Sequence, residues 1–157
     1  MTDASFSEKL TEVELSRLED LDLGEEDKVD ELILNSLKKR IKLVEDNIIL
    51  FRVHYKKLKI INNIMLMEMD FQTKHLNEYY LVLYAPDGEE KGTSEYREWG
   101  INQLNSREKI KHISFAIDKN SLLRLVIKFV MAKVVKIPYS VHNNIDEALK
   151  KIREIRT

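Results

Sequence analysis

Apolar residues recur along this chain with two periods, and the alternation of the two outlines a fold. Residues 5–22 carry Phe6, Leu10, Val13 and Leu21 on one face of a helix, with acids opposite. Arg17 lays its stem in the gap of that row, and Leu15 and Leu18 widen it. Gly24 breaks the pattern. A second helix is predicted over 25–43, with Val29, Leu32, Ile33, Leu37 and Ile41 on one face. Glu25, Glu26 and Asp27 crowd its first turn and Lys38, Lys39, Arg40 and Lys42 its last, as the helix dipole favours.

Asp46-Asn47 reads as a turn and as the boundary between a helical extension, 1–45, and an α/β domain, 46–157. A strand follows over 48–55, with Ile49, Phe51, Val53 and Tyr55 on one face and Arg52 and His54 on a half-exposed other. Residues 58–61 are expected to be a short strand paired with it. Asn62 or Asn63 then caps a helix that buries Ile64, Met67 and Phe71, with Leu76 just beyond its end. Residues 79–84 are a near-continuous apolar run of strand length, the pattern of a central strand covered on both faces.

Pro86-Asp87-Gly88 turns the chain out into a polar loop, and Thr93 or Ser94 starts a helix running to about Leu104. Residues 109–117 form a strand with Ile113, Phe115 and Ile117 inward. A cap at 118–121 heads a helix over 122–131 that is apolar almost all round. A last short strand lies over 135–141, placed at a sheet edge by Pro138. Asn143 or Asn144 caps a final helix with Ile145, Ala148, Leu149 and Ile152 as its stripe. Strands alternating with helices predict a mostly parallel or mixed central sheet of about four to five strands, covered by helices.

Composition narrows the chemistry. Of 157 residues, 43% are hydrophobic and 34% charged, ordinary for a folded domain. The lack of cysteine excludes disulfides, thiolate catalysis and cysteine-ligated metals. No apolar run approaches the ~20 residues of a membrane span. The start carries no basic leader or apolar signal core, so a cytoplasmic location is expected.

The net charge of −1 is unevenly spread. Residues 1–40 hold 12 acids and 6 bases, and the other 117 hold 15 and 20, balances of −6 and +5. That split lets the extension lie on its own domain or steer a partner. Self-association is another cover for its apolar stripes. The short clusters Lys56, Lys57, Lys59 and Lys109, Lys111 read as protection of strand ends, and no nucleic-acid partner is expected.

Four glycines, Gly24, Gly88, Gly92 and Gly100, make neither a phosphate loop nor a dinucleotide fingerprint. The histidines His54, His75, His112 and His142 fall on four different elements without metal-ligand spacing. No Gly-x-Ser-x-Gly elbow supports a hydrolase. No cofactor, metal or enzymatic activity is expected. What remains is Thr93-Ser94. A hydroxyl there is ordinarily a cap worth about 1 kcal/mol. It is also a place where a phosphate would meet the helix dipole and free N–H groups.

From about residue 46 onward the chain resembles STAS-like domains, the fold of anti-anti-sigma factors, and among them a bacterial branch. The similarity rests on the hairpin over 48–61, the strand Tyr80-Leu-Val-Leu-Tyr84 and the helix start Lys91-Gly-Thr-Ser-Glu-Tyr-Arg97. It continues in the strand ending at Asp118, in Asn120-Ser-Leu-Leu-Arg-Leu-Val-Ile-Lys-Phe129 and in Asn144-Ile-Asp-Glu-Ala-Leu149. The resemblance implies a non-enzymatic regulatory or scaffolding domain that binds a protein partner through the helix after the third strand. A serine or threonine at that helix's start is the family's phosphorylation switch. By position that is Thr93 or Ser94, with Tyr96, Arg97 and Trp99 as partner contacts. Regulatory members carry Asp-Ser-Ser-Gly or Asp-Ser-Thr-Gly there, whereas this chain has Gly92-Thr93-Ser94-Glu95. A carrier of small hydrophobic ligands is the alternative, suggested by the helix over 122–131 and by Met65, Met67 and Met69. An enzyme with a triad assembled only in space is the second alternative.

Overall fold

The computed structural model describes residues 38–52, 59–85, 94–117 and 135–156. The expectations for 5–22 and 25–37, for His54, for the loop through Thr93 and for the helix over 122–131 lie outside them. The described residues form an α/β fold: a five-stranded mixed sheet with three helices. Its strands are β1 (Ile41–Val44), β2 (Ile48–Arg52), β3 (Tyr79–Ala85), β4 (Ile110–Ile117) and β5 (Tyr139–His142). They lie in chain order, with β1 antiparallel to β2 and every later pair parallel. Helix α1 (Lys59–Gln72) joins β2 to β3, α2 (Ser94–Asn105) joins β3 to β4, and α3 (Ile145–Arg156) follows β5.

Sequential order and crossovers of one hand put successive connecting helices on one face. Accordingly α1 and α2 pack on one side, where Met65, Leu66, Met69, Ile101 and Leu104 meet Ile49, Phe51, Leu81, Leu83, Ile113 and Phe115. Helix α3 covers the other side, setting Ile145, Ala148, Leu149 and Ile152 against Ile48, Leu50, Tyr80, Val82 and Ala116. Both faces of β3 are therefore buried, which is why residues 79–84 read as a continuous apolar run. A register shift at Tyr79/Tyr80 pairs Tyr79 with Ile110 and Tyr80 with His112. Lys111 is thus left exposed, and His112, Ser114 and Ala116 turn toward α3.

The start of the sheet differs from expectation. Ile41–Val44 is a strand, not the end of a helix over 25–43, and Asp46-Asn47 lies in the turn that folds it back on β2. Glu45 and Asp46 adopt φ of 47° and 69°, a left-handed turn that Asp tolerates well. The sheet therefore reaches back across that turn to Ile41. The expected strand over 58–61 is also overturned: Lys59, Ile60 and Ile61 are the first turn of α1, so the hairpin partner of β2 is β1.

Asn62 and Asn63 consequently sit inside α1 rather than capping it. The buried row of that helix is Asn62, Met65, Leu66 and Met69, continued by Thr73, while Met67 and Phe71 face outward. Arg52 is fully buried instead of half-exposed, because β1 and β3 flank it and its guanidinium stands 5.8 Å from the Tyr84 ring centre. Arg40 is buried as well, and its carbonyl accepts from Arg52 N–H at 2.9 Å.

For the described residues from β4 onward expectation and structure agree closely. β4 holds Ile113, Phe115 and Ile117 inward. β5, preceded by Pro138, is an edge strand shorter than the predicted 135–141. Helix α3 is headed by a variant of the capping box, in which Glu147 reaches one residue back beyond the N-cap Asn144. Asn144 Oδ1 accepts from Glu147 N–H at 2.8 Å, and Glu147 Oε2 accepts from Asn143 N–H at 3.2 Å. Its buried residues are the four of the predicted stripe.

Candidate functional site

In an open α/β sheet, ligands and partners meet the carboxyl ends of the parallel strands. Here that edge is formed by Arg52, Ala85, Ile117 and His142. Ser94 is the first residue of α2, on the chain leaving that edge. Thr93 and the side chains of Ser94, Tyr96 and Arg97 lie outside the described residues. Trp99 is partly buried and packs against the apolar cluster beneath α2, so its ring anchors the helix as well as flanking its surface. Glu98 beside it is exposed.

A second cluster was hidden from sequence reasoning. His112 and Ser114 are two apart on β4, and Ser140 and His142 are two apart on β5, so all four project from one face. The register pairs Ser114 with Ser140 and Ala116 with His142. Ser140 Oγ lies 2.9 Å from His112 Nε2, 2.6 Å from His142 Nε2 and 3.2 Å from Ser114 Oγ. A hydroxyl has one proton to give and two lone pairs. When Ser140 donates to one ring, the other ring can donate to Ser140, and the two histidines then hold different tautomers. A proton taken up by the accepting ring makes it a second donor, and Ser140 then donates to Ser114.

Burial holds both imidazoles below the ordinary value of 6.5. The Lys151 ammonium on α3 pushes both the same way, while the Glu147 carboxylate opposes it at His142. The signal that would have found this set is parity: His-x-Ser and Ser-x-His on neighbouring parallel strands. It becomes legible only once β4 and β5 are known to pair.

The set has a nucleophile and a base; a triad also needs an acid to orient the imidazole, and among the described residues none is hydrogen-bonded to either ring. The nearest candidate, Glu147, spends its carboxylate on the cap of α3. Two imidazoles and a hydroxyl are also short of a closed metal shell, and among the described residues no three His, Asp or Glu side chains could hold an ion. At the opposite end of the strands, Asp46, Asn47, Leu76, Asn77, Glu78 and Arg156 line an open groove of about 620 Å³. Arg156 and, one turn before it on α3, Arg153 both pair with Glu45, stitching the end of α3 to the β1–β2 turn. Among the described residues no helix is long and apolar enough to cross a membrane.

No protein-family model matches this chain, and neither a curated protein nor a solved structure does.

Proposed function

We propose that this chain is a non-enzymatic regulatory or scaffolding domain of the STAS-like kind, cytoplasmic, and that it acts by contact with a protein partner. The observation that carries this reading is the position of Ser94. It is the first residue of the helix following the third strand, on the carboxyl side of a sheet whose strands lie in chain order. A partner surface there comprises Thr93, Ser94, Tyr96, Arg97 and the outward edge of Trp99. Phosphate on either hydroxyl would add roughly two negative charges at a helix N-terminus. That charge would repel an acidic partner and weaken the contact, while Glu95, of the same sign and in place of the family's glycine, would repel the phosphate. Among the described residues the polar cluster of β4 and β5 bonds within itself, which suits a structural role.

The test is a photo-reactive residue at Glu98 of the full-length protein in its native cell, compared with the same residue at Lys150 on α3. We expect adducts specific to position 98 that disappear with Ser94→Asp. The same adducts from both positions would end the assignment of this face. Adducts at 98 that survive Ser94→Asp would end the switch but keep the contact.

A further inference from the structure

Helix α1 is apolar around most of its circumference, and the sheet covers one side only. On the opposite side Met67 and Phe71 are 65% and 66% exposed, more than any other large hydrophobic side chain described. They stand one helical turn apart, and half-buried Ile64 continues their row. An adaptable methionine beside an aromatic ring on an open helix face suits a contact surface. The flank of this row is basic. Lys74 Nζ stands 5.5 Å from the Phe71 ring centre, and Lys109 Nζ donates to the Lys74 carbonyl at 3.4 Å. Of the neighbouring acids, Asp70 is neutralised by a two-pronged pair with Arg107, and Glu68, on the other flank, accepts from Gln72 and keeps its charge.

Three features name an occupant. The first is position. The Gln72 carboxamide of α1 accepts from Leu43 N–H at 3.1 Å and donates to Ile41 C=O at 3.3 Å, so α1 lies directly against the outer edge of β1. The chain preceding β1 arrives at that strand, and 37 residues, at ~1.5 Å each even if helical, can return over α1. The second is charge. Residues 1–37 hold 12 acids and 3 bases, and the other 120 hold 15 and 23, balances of −9 and +8. The third is area. Two side chains about two-thirds exposed offer on the order of 250 Å². A stable interface between separate molecules needs about 800 Å² per partner. A tethered segment escapes most of the association entropy that sets this requirement.

We propose that residues 1–37 fold back over α1, setting the apolar row Val29, Leu32 and Ile33 on Met67 and Phe71 and their acids toward Lys74 and Lys109. The contact covers a face distinct from the start of α2 and does not depend on the function proposed above.

The chain contains no cysteine, so an introduced pair of thiols is unique. The full-length double variant Leu32→Cys/Phe71→Cys should close a disulfide within one chain about tenfold faster than Leu32→Cys/Lys150→Cys, whose second thiol is on α3. In the wild type, peroxide should oxidise Met67 nearly as slowly as fully buried Met65 and Met69, and Leu32→Asp should release it. Met67 that oxidises freely in the wild type overturns the proposal. Disulfides between chains that grow with protein concentration point to a second copy and overturn it too. Protection of Met67 without faster closure of the first pair assigns the face to another occupant, with the same consequence.

Discussion

The two faces of this sheet are built on different terms. Under α1 and α2 the strands present Ile49, Phe51, Leu81, Leu83, Ile113 and Phe115, an apolar layer whose aromatic edge is Phe115 packed across Tyr139 at 6.2 Å. Under α3 the same strands present Ile48, Leu50, Tyr80 and Val82. There the apolar layer gives way to Arg52 over Tyr84 at one end and to the His112–Ser140–His142 set beside it. One face is held chiefly by volume, with Asn62 and Thr73 as the polar members of the buried row of α1. The other also depends on hydrogen bonds among buried and half-buried groups, and a buried polar group without a partner costs more than the bond contributes. Damage to the two faces should therefore look different.

The largest effect is expected on the apolar face. Leu81 on β3 has no exposed surface, so Leu81→Ala removes buried methyl groups and leaves a cavity between sheet and helices. It should cost about 2–5 kcal/mol in denaturant unfolding, with little dependence on pH. On the other face, Ser140→Ala removes far less volume but strands two ring nitrogens at once. It should cost about 1–3 kcal/mol. If Ser140→Ala proves neutral, water or a shifted ring completes that network and the contrast between the faces fails.

The polar face should also titrate. Burial keeps His112 and His142 from protonating at their ordinary value of 6.5. Above that value neither folded nor unfolded chain is charged at these rings, and nothing is lost. As pH falls below it, the unfolded chain binds protons that the native state resists, so stability declines until the folded rings themselves titrate. The slope should stay below the ceiling of about 1.4 kcal/mol per pH unit and per ring, since His142 is only half-buried. His112→Gln keeps a donor or acceptor near the Nε2 position and removes one titration. Unfolding midpoints from pH 7.5 to 5 should show the slope reduced, and an unchanged slope would transfer the effect to other groups.

What the sequence disclosed depended on how unambiguous each phase was. Residues 79–84, 109–117 and the last helix were legible because their patterns admit one register, and Asn144 with Glu147 three residues later spells a capping box. Helix α1 was misphased because Ile64, Met65, Leu66, Met67 and Met69 leave few polar positions to say which side is inward. Ile41 fitted a helical stripe and a strand equally well. The signal missed there was the alternation Ile41-Lys42-Leu43, which with the turn read at Asp46-Asn47 makes β1. The fully buried position of Arg52 follows from its neighbouring strands, and no local rule reports that. The histidine–serine set depends on parallel pairing between segments some 28 residues apart, a contact no window of sequence contains. The expected partner surface was readable only as a position, the first turn of the helix after β3.

The smallest effect concerns the helices themselves and has the opposite sign. Helix α3 is locally well specified, with its capping box, Asp146 and Glu147 in the first turn and Arg153 and Arg156 in the last. Helix α2 has no basic side chain in its last turn and carries Gly100 in its middle. A Cβ placed at Gly100 would meet no heavy atom within 4 Å. Nothing there calls for glycine, and its conformational freedom in the unfolded chain is a net loss. Gly100→Ala should therefore raise stability by about 0.5–1 kcal/mol, seen as a higher unfolding midpoint at unchanged slope. A lower midpoint would show that some part of the chain lies against residue 100. That would make α2 a covered helix, and the proposed partner surface would have to shrink to its first turn.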